Sequence, residues 1–285
     1  MLAFTEQLPD GSFAPITADS VVFAPWDESD AWGTEDPRLQ YNQHDSLYYL
    51  FYTAYGGGGS VFLSLATTPD PTRAHSWRRR GPVFPSLPGS KSGALLLRAP
   101  PAPHLLLWGD GVVRAAASRD PAAWPDPGPV LLAPRPGRFD SLLVESGPPP
   151  LRLSTGDYLF FYNSASDGWP SAPGSGYHPA WAVLDGADPA RVLRRAEAPL
   201  LGPARPWERG DAPYPCNAPA VVFLSAAAPL GGDRFRVFFG GADAVVGTAV
   251  VTVTVTPPPP PPPPPLSSDG WVAAEEWAVE AAVEA

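Results

Sequence analysis

Hydrophobic positions in this chain come in short blocks, and the blocks recur in a fixed order. LYYLFYTAY (47–55) and VFLSLATT (61–68) are followed by Asp70-Pro71 and Trp77. HLLLWGD and VVRAAAS precede Asp120-Pro121 and Trp124, and YLFFYNSA and YHPAWAVLD precede Asp188-Pro189 and Arg194. A fourth pair, FRVFFGGAD and VVGTAVVTVTV, ends without the Asp-Pro. Aromatic and β-branched runs of this length predict strands, and the Gly, Asn and Asp-Pro positions between them predict turns. A sandwich would show the turns without this ordered recurrence. Repeated units of several strands each predict the blades of a β-propeller.

The composition fits that reading. With 41 prolines and 27 glycines in 285 residues, many turns and few long helices are expected. Pro/Gly-rich connectors at 81–92, 125–138 and 169–176 are long enough to carry function. GGGGS at 56–60 lies between two predicted strands and reads as a flexible hairpin tip. The folded domain is expected to cover 1–256. The unbroken run Pro257–Pro265 then predicts a polyproline II spacer, a ligand type for aromatic-lined proline-recognition domains. The acidic tail 266–285 predicts a short amphipathic helix or disorder.

Charge narrows the choice of partners. The formal net charge of −10 argues against nucleic acid, whose phosphates need a surplus of Lys and Arg. A single cysteine, Cys216, excludes an internal disulfide. No apolar run reaches the length of a membrane-spanning helix, and MLAFTEQLPDGSF lacks the form of a secretory signal, so a cytoplasmic location is expected. His44, His75, His104 and His178 show no metal-ligand spacing, so no metal is expected. Neither a GxxxxGK phosphate loop nor a GxSxG elbow is present.

The candidate chemistry lies in carboxylates. GTEDPR (33–38) sets Glu35 and Asp36 beside Pro37, which predicts a stiff extended turn at a sheet rim, with Arg38 placed to orient the pair. Glu145, in DSLLVESGPPP, precedes a triple proline, and Asp243, in FFGGADAVVG, sits at a strand end among small residues. Asp140, Asp185 and Glu208 are further acids on loops or strand ends. Inverting glycoside cleavage needs an acid and a base on opposite sides of the sugar, and this chain has acids to supply both. Lys91, Arg98 and Arg114 are cations near the loops that could hold an anion.

With these segments in view, the sequence resembles glycoside hydrolase family 130, whose members are five-bladed propellers that split β-mannosides with phosphate or with water. The matching pieces are GTEDPR, YTAY, SLATTPD, the Lys91 loop, LLLR, DSLLVESGPPP, LDGADPARVL, PWERG and FFGGADAVVGTA. The resemblance implies Asp36 as proton donor, acting through a sugar hydroxyl, and Asp243 as a grip on the mannose. It also places Lys91, Arg98 and Arg114 where the phosphorylases hold phosphate, and Glu35, Arg38, Tyr55, Asp140 and His178 are further candidate substrate ligands. No cofactor is implied beyond inorganic phosphate as co-substrate. Three departures stand out. Leu143 replaces a lysine usual in the phosphorylases, and Tyr162-Asn163-Ser164 replaces their Tyr-His-Gly. Few residues precede GTEDPR, so a first blade is expected to be truncated. With two cations missing and Glu145 added, the expectation is hydrolysis with Glu145 as base. Phosphorolysis and a non-catalytic sugar-binding or scaffold propeller are the alternatives.

Overall fold

The computed structural model describes residues 2–9, 12–172, 174–256 and 278–284. A short antiparallel pair, β1 (Leu2–Ala3) with β2 (Val21–Phe23), comes first. Four larger antiparallel sheets follow, and every recurring hydrophobic pair forms the two middle strands of one of them. The first contains β3 (Gly33–Asn42), β4 (Leu47–Tyr55), β5 (Val61–Thr68) and β6 (Arg78–Pro82) in that order. The second contains β7 (Gly93–Leu96), β8 (His104–Trp108), β9 (Val113–Ser118) and β10 (Val130–Leu132). In the third, β11 (Leu143–Ser146) and β12 (Leu151–Arg152) both pair with β13 (Tyr158–Ala165), and β14 (Tyr177–Leu184) and β15 (Val192–Arg195) complete the sheet. The fourth contains β16 (Val222–Gly231), β17 (Arg234–Gly241), β18 (Val245–Thr256) and β19 (Ala278–Glu284).

The sheets form a propeller-like ring. The first strands β3, β7, β11 and β16 face the centre, and β16 comes against β3 where the ring closes. Separate apolar cores fill the joints between sheets. Phe51, Leu63, Leu95 and Leu106 pack at the first joint, Leu107, Val144, Phe160 and Tyr162 at the second, and Phe161, Val183, Val237 and Val251 at the third. A middle strand is covered on both faces by its neighbours, so its sequence is apolar almost throughout rather than alternating. All eight residues of β13 are buried, for example.

Among the described residues the ring has four complete sheets, where the family resemblance implies five. Among the described residues before Gly33, Leu2–Ala3 pairs with Val21–Phe23 and Gln7 bridges Phe13, and these make no full blade. The segment spans the fourth joint instead. Phe23 packs edge-on against Tyr52 and Trp77 of the first sheet side, and Phe13 against Phe238 of the fourth sheet.

Of the acidic tail 266–285, only residues 278–284 are among those described. Ala278–Glu284 forms a strand along β18, in register from Thr256↔Ala278 to Val250↔Glu284, and neither helix nor disorder. An isolated helix of this length is marginal in water, whereas the open edge of β18 offers a full ladder of hydrogen bonds. The proline run 257–265 lies outside the described residues.

Candidate active site

At one end of the ring the central strands begin and the second strand of each sheet ends. A cavity of about 630 Å³ opens there. The starts of the central strands bring Glu35 and Asp36, Lys91, Leu143 and Glu145, and Phe223 and Ser225 to its wall. The ends of the second strands and the turns after them bring Tyr55, Asp110, Trp169 and Asp243. Tyr177 and Asn217 complete the acid-facing side.

Glu35 and Asp36 share the cavity because β3 is irregular. Neighbouring residues of a regular strand point to opposite faces. Here Glu35 pairs with Thr53 and Arg38 with Phe51, so Asp36 and Pro37 together oppose Tyr52 in a bulge. Pro37 suits this place because the bulged position needs no ladder N–H. Asp36 itself takes a left-handed conformation, φ 49°, rather than the extended one its place before proline suggests. Thr53 Oγ1 donates to Asp36 Oδ2 at 3.2 Å. Glu35 leans back over Gly33, where a Cβ would lie 3.0 Å from its Oε1. Ser92 and Asp243 are also left-handed, at φ 48° and 50°. Each such residue costs ~1 kcal/mol or more, and strain of this kind collects at functional sites.

Glu145 is 4% exposed. Ser92 donates to its Oε1 and Tyr177 donates to its Oε2. Burial, followed by the nearby charges of Asp36 and Asp110, pushes its pKa from 4.5 up to about 7, and the Ser92 and Tyr177 hydrogen bonds oppose the rise. Burial and Asp36 also raise Glu35 and Asp243, with Lys91 pulling both back. Lys91 Nζ stands 3.2 Å from Asp110 Oδ2. Burial works against its charge, but Asp110, Glu145 and Tyr55 outweigh it and raise the lysine.

Five expected ligands do not line this cavity. Arg38 is 1% exposed and ties the first sheet to the third: its Nε donates to Gly147 O at 2.8 Å and its Nη2 to Ser146 O at 3.3 Å. The same bulge that turns Asp36 inward sends Arg38 into the packing, over the Phe223 ring. Asp140 is buried in a knot with Arg135, Arg195 and Tyr162. His178 packs against Gly176, where a Cβ would come within 2.8 Å of its ring, and burial lowers its pKa. Arg98 donates to Ala187 O at 2.6 Å, away from the centre. Arg114 donates to Gly128 O and lines a smaller cavity of about 320 Å³ behind Asp110. Asp185 and Glu208 serve turns: Asp185 accepts from Ala187 and Asp188, and Glu208 from Ala204 and Arg205. A larger cavity of about 720 Å³ lies beside Phe23 and Trp77, but its carboxylate, Asp27, is taken by Ser29.

A family model described as beta-1,4-mannooligosaccharide phosphorylase, that of glycoside hydrolase family 130, matches residues 5–255. The chain belongs to glycoside hydrolase family 130. It is 30% identical over 245 residues to the 1,2-beta-oligomannan phosphorylase of Thermoanaerobacter sp. (strain X514), covering 82% of this chain and 73% of that protein. It superposes on a glycosyl hydrolase from Bacteroides ovatus with a TM-score of 0.70 at 26% identity, covering 86% of this chain and 72% of that one. A further structure, from mannoside-phosphorylase-family hydrolases that target beta-1,2 mannosidic linkages in Candida mannan, matches with a TM-score of 0.68 at 26% identity, covering 81% and 70%.

Two departures of this family-130 chain have physical readings. Leu143 places an isobutyl group on the cavity wall two residues before Glu145. Asn163 is fully buried and faces no substrate: its Nδ2 donates to Leu224 O at 3.1 Å, and its Oδ1 accepts from Leu224 N at 2.7 Å. It joins the third sheet to the fourth. Among the residues that sequence reasoning passed over are Ser92, Asp110, Trp169 and Tyr177. The repeats held a signal for two of them. Tyr55 ends the aromatic strand of its repeat, and Asp110, Trp169 and Asp243 follow the corresponding strands of theirs, so finding one marks the others.

Proposed function

We propose that the chain is an inverting enzyme that hydrolyses β-mannosidic bonds, with Asp36 as proton donor and Glu145 as base. The carrying observation is that two carboxylates from different central strands line one cavity, and the buried one has a pKa near neutrality. A base with a pKa near the working pH is both ionised and a good proton acceptor. In the proposed step Glu145 takes a proton from water as the water oxygen attacks the anomeric carbon. The bond to the leaving oxygen breaks, and the proton from Asp36 ends on that oxygen. The product carries the opposite anomeric configuration. The mannoside specificity is supported by the family model and by the Thermoanaerobacter relative.

Phosphorolysis is the second reading, and both of those names favour it. Phosphate would then take the place of water. The wall chemistry favours water: Lys91 is the one cation lining the cavity among the described residues, it is paired with Asp110, and Glu35, Asp36, Glu145 and Asp243 stand around it. A phosphate dianion there would face more repulsion than attraction. Incubation with β-1,2-mannobiose, with and without phosphate, separates the two. Mannose released without phosphate is the expected result. Mannose 1-phosphate formed only when phosphate is present would establish the second reading. Binding with no turnover in either case would leave a sugar-binding propeller.

A further inference from the structure

Trp169 belongs to the connector between β13 and β14, and its ring lines the catalytic cavity. Its polar edge is already satisfied, since Nε1 donates to Pro219 O at 3.1 Å. The ring also packs against Tyr177, with ring centroids 5.2 Å apart at 76°. The loop that carries it is closed at its base, where Ser166 N donates to Gly176 O at 3.2 Å. Segment 217–221 ties the same wall to Asp243, for Asn217 Nδ2 donates to Asp243 O at 2.6 Å. The result is a held, half-buried indole that lines the cavity beside Tyr177, and therefore on the Glu145 side.

Sugar stereochemistry says what such a ring can take. A β-mannoside carries an axial hydroxyl at C2 on one side of the ring. The other side presents the axial hydrogens of C3 and C5 and is apolar. An inverting nucleophile also reaches the anomeric carbon from that apolar side. Water held by Glu145 and an aromatic ring under C3 and C5 can therefore share one face of the sugar. We propose that Trp169 is the platform on which the apolar face of the mannosyl unit being cleaved stacks, next to the water held by Glu145. This assignment rests on the mannoside-cleaving reading above and adds a substrate-binding residue to it.

The test compares wild type with Trp169→Ala and Trp169→Phe, using β-1,2-mannobiose as substrate and mannose as competitive inhibitor. Stacking predicts that Trp169→Ala raises KM and the mannose Ki about tenfold, and that Trp169→Phe recovers most of the loss. The low-pH limb of kcat/KM should stay where it is in both variants. Unchanged KM and Ki in Trp169→Ala would overturn the platform. So would an unchanged Ki with a displaced low-pH limb, because the ring would then serve only to hold Tyr177 and Glu145. If the wild type turns over no β-mannoside, the catalytic reading fails separately, and calorimetric titration with mannose decides the platform. Binding weakened by Trp169→Ala supports it, and binding unaffected by the change refutes it.

Discussion

Replacing Glu145 by glutamine should stabilise the protein, and by more at high pH than at low. The side chain is almost wholly buried, and its surroundings lift its pKa from 4.5 to about 7. The folded state therefore binds a proton between these values that the unfolded state has released. Stability then falls as pH rises through this window, because the unfolded chain binds fewer protons than the native one. A rise of this size corresponds to about 3 kcal/mol lost between pH 4.5 and pH 8. Glu145→Gln has no such titration and nearly the same shape. Its amide oxygen can accept from Ser92, and the Tyr177 hydroxyl can turn to accept from its amide nitrogen. Urea unfolding of both proteins at pH 5 and pH 8 measures the effect. The stability difference, variant minus wild type, should grow by about 2–3 kcal/mol between the two conditions. A difference constant to within about 0.5 kcal/mol, the usual size of an inconsequential surface change, would show that the site does not hold a raised carboxyl. The measurement needs no substrate, so it tests the electrostatics apart from the reaction.

Other outcomes follow from the same geometry. Asp36→Asn should lower kcat on β-1,2-mannobiose by about 10²–10⁴ while mannose binding persists, as expected for loss of a general acid; steady-state kinetics with a mannose titration reads both. If Glu145 is the base, wild-type kcat/KM should rise with pH and reach half its plateau at about 7; a pH–rate profile flat from pH 5 to 8 would exclude that role. Asn163→Ala strands the N–H and C=O of Leu224 between two sheets, and should cost about 2–3 kcal/mol in urea unfolding.

The blade plan was legible because each repeat carries its own apolar signature in its middle strands. The central strands were harder to see. β7 and β11 have only four residues each, too few for periodicity to declare them. Asp36, Glu145 and Asp243 were visible as acids on constrained backbone, and all three reach the cavity. Arg38, by contrast, looked like a ligand because it follows the acid pair. Nothing in its neighbours tells that the bulge turns it into the joint between the first and third sheets. Asp140 and His178 lie outside the cavity lining for a related reason, since their partners Arg195 and Gly176 are set by tertiary packing. Tyr177 became part of the site only through β14, which carries its hydroxyl to Glu145 across 32 residues of sequence.

The two acids at the head of β3 face one way only because an extra residue interrupts the ladder. Deleting Pro37 would allow uninterrupted pairing with β4, and one of the two carboxylates would swing to the far side of the sheet. The amino-acid inventory would hardly change, yet the cavity would lose half of its acid pair. In a scaffold built like this, chemistry can appear or vanish through the gain or loss of a single backbone unit, with every acidic side chain still in the gene.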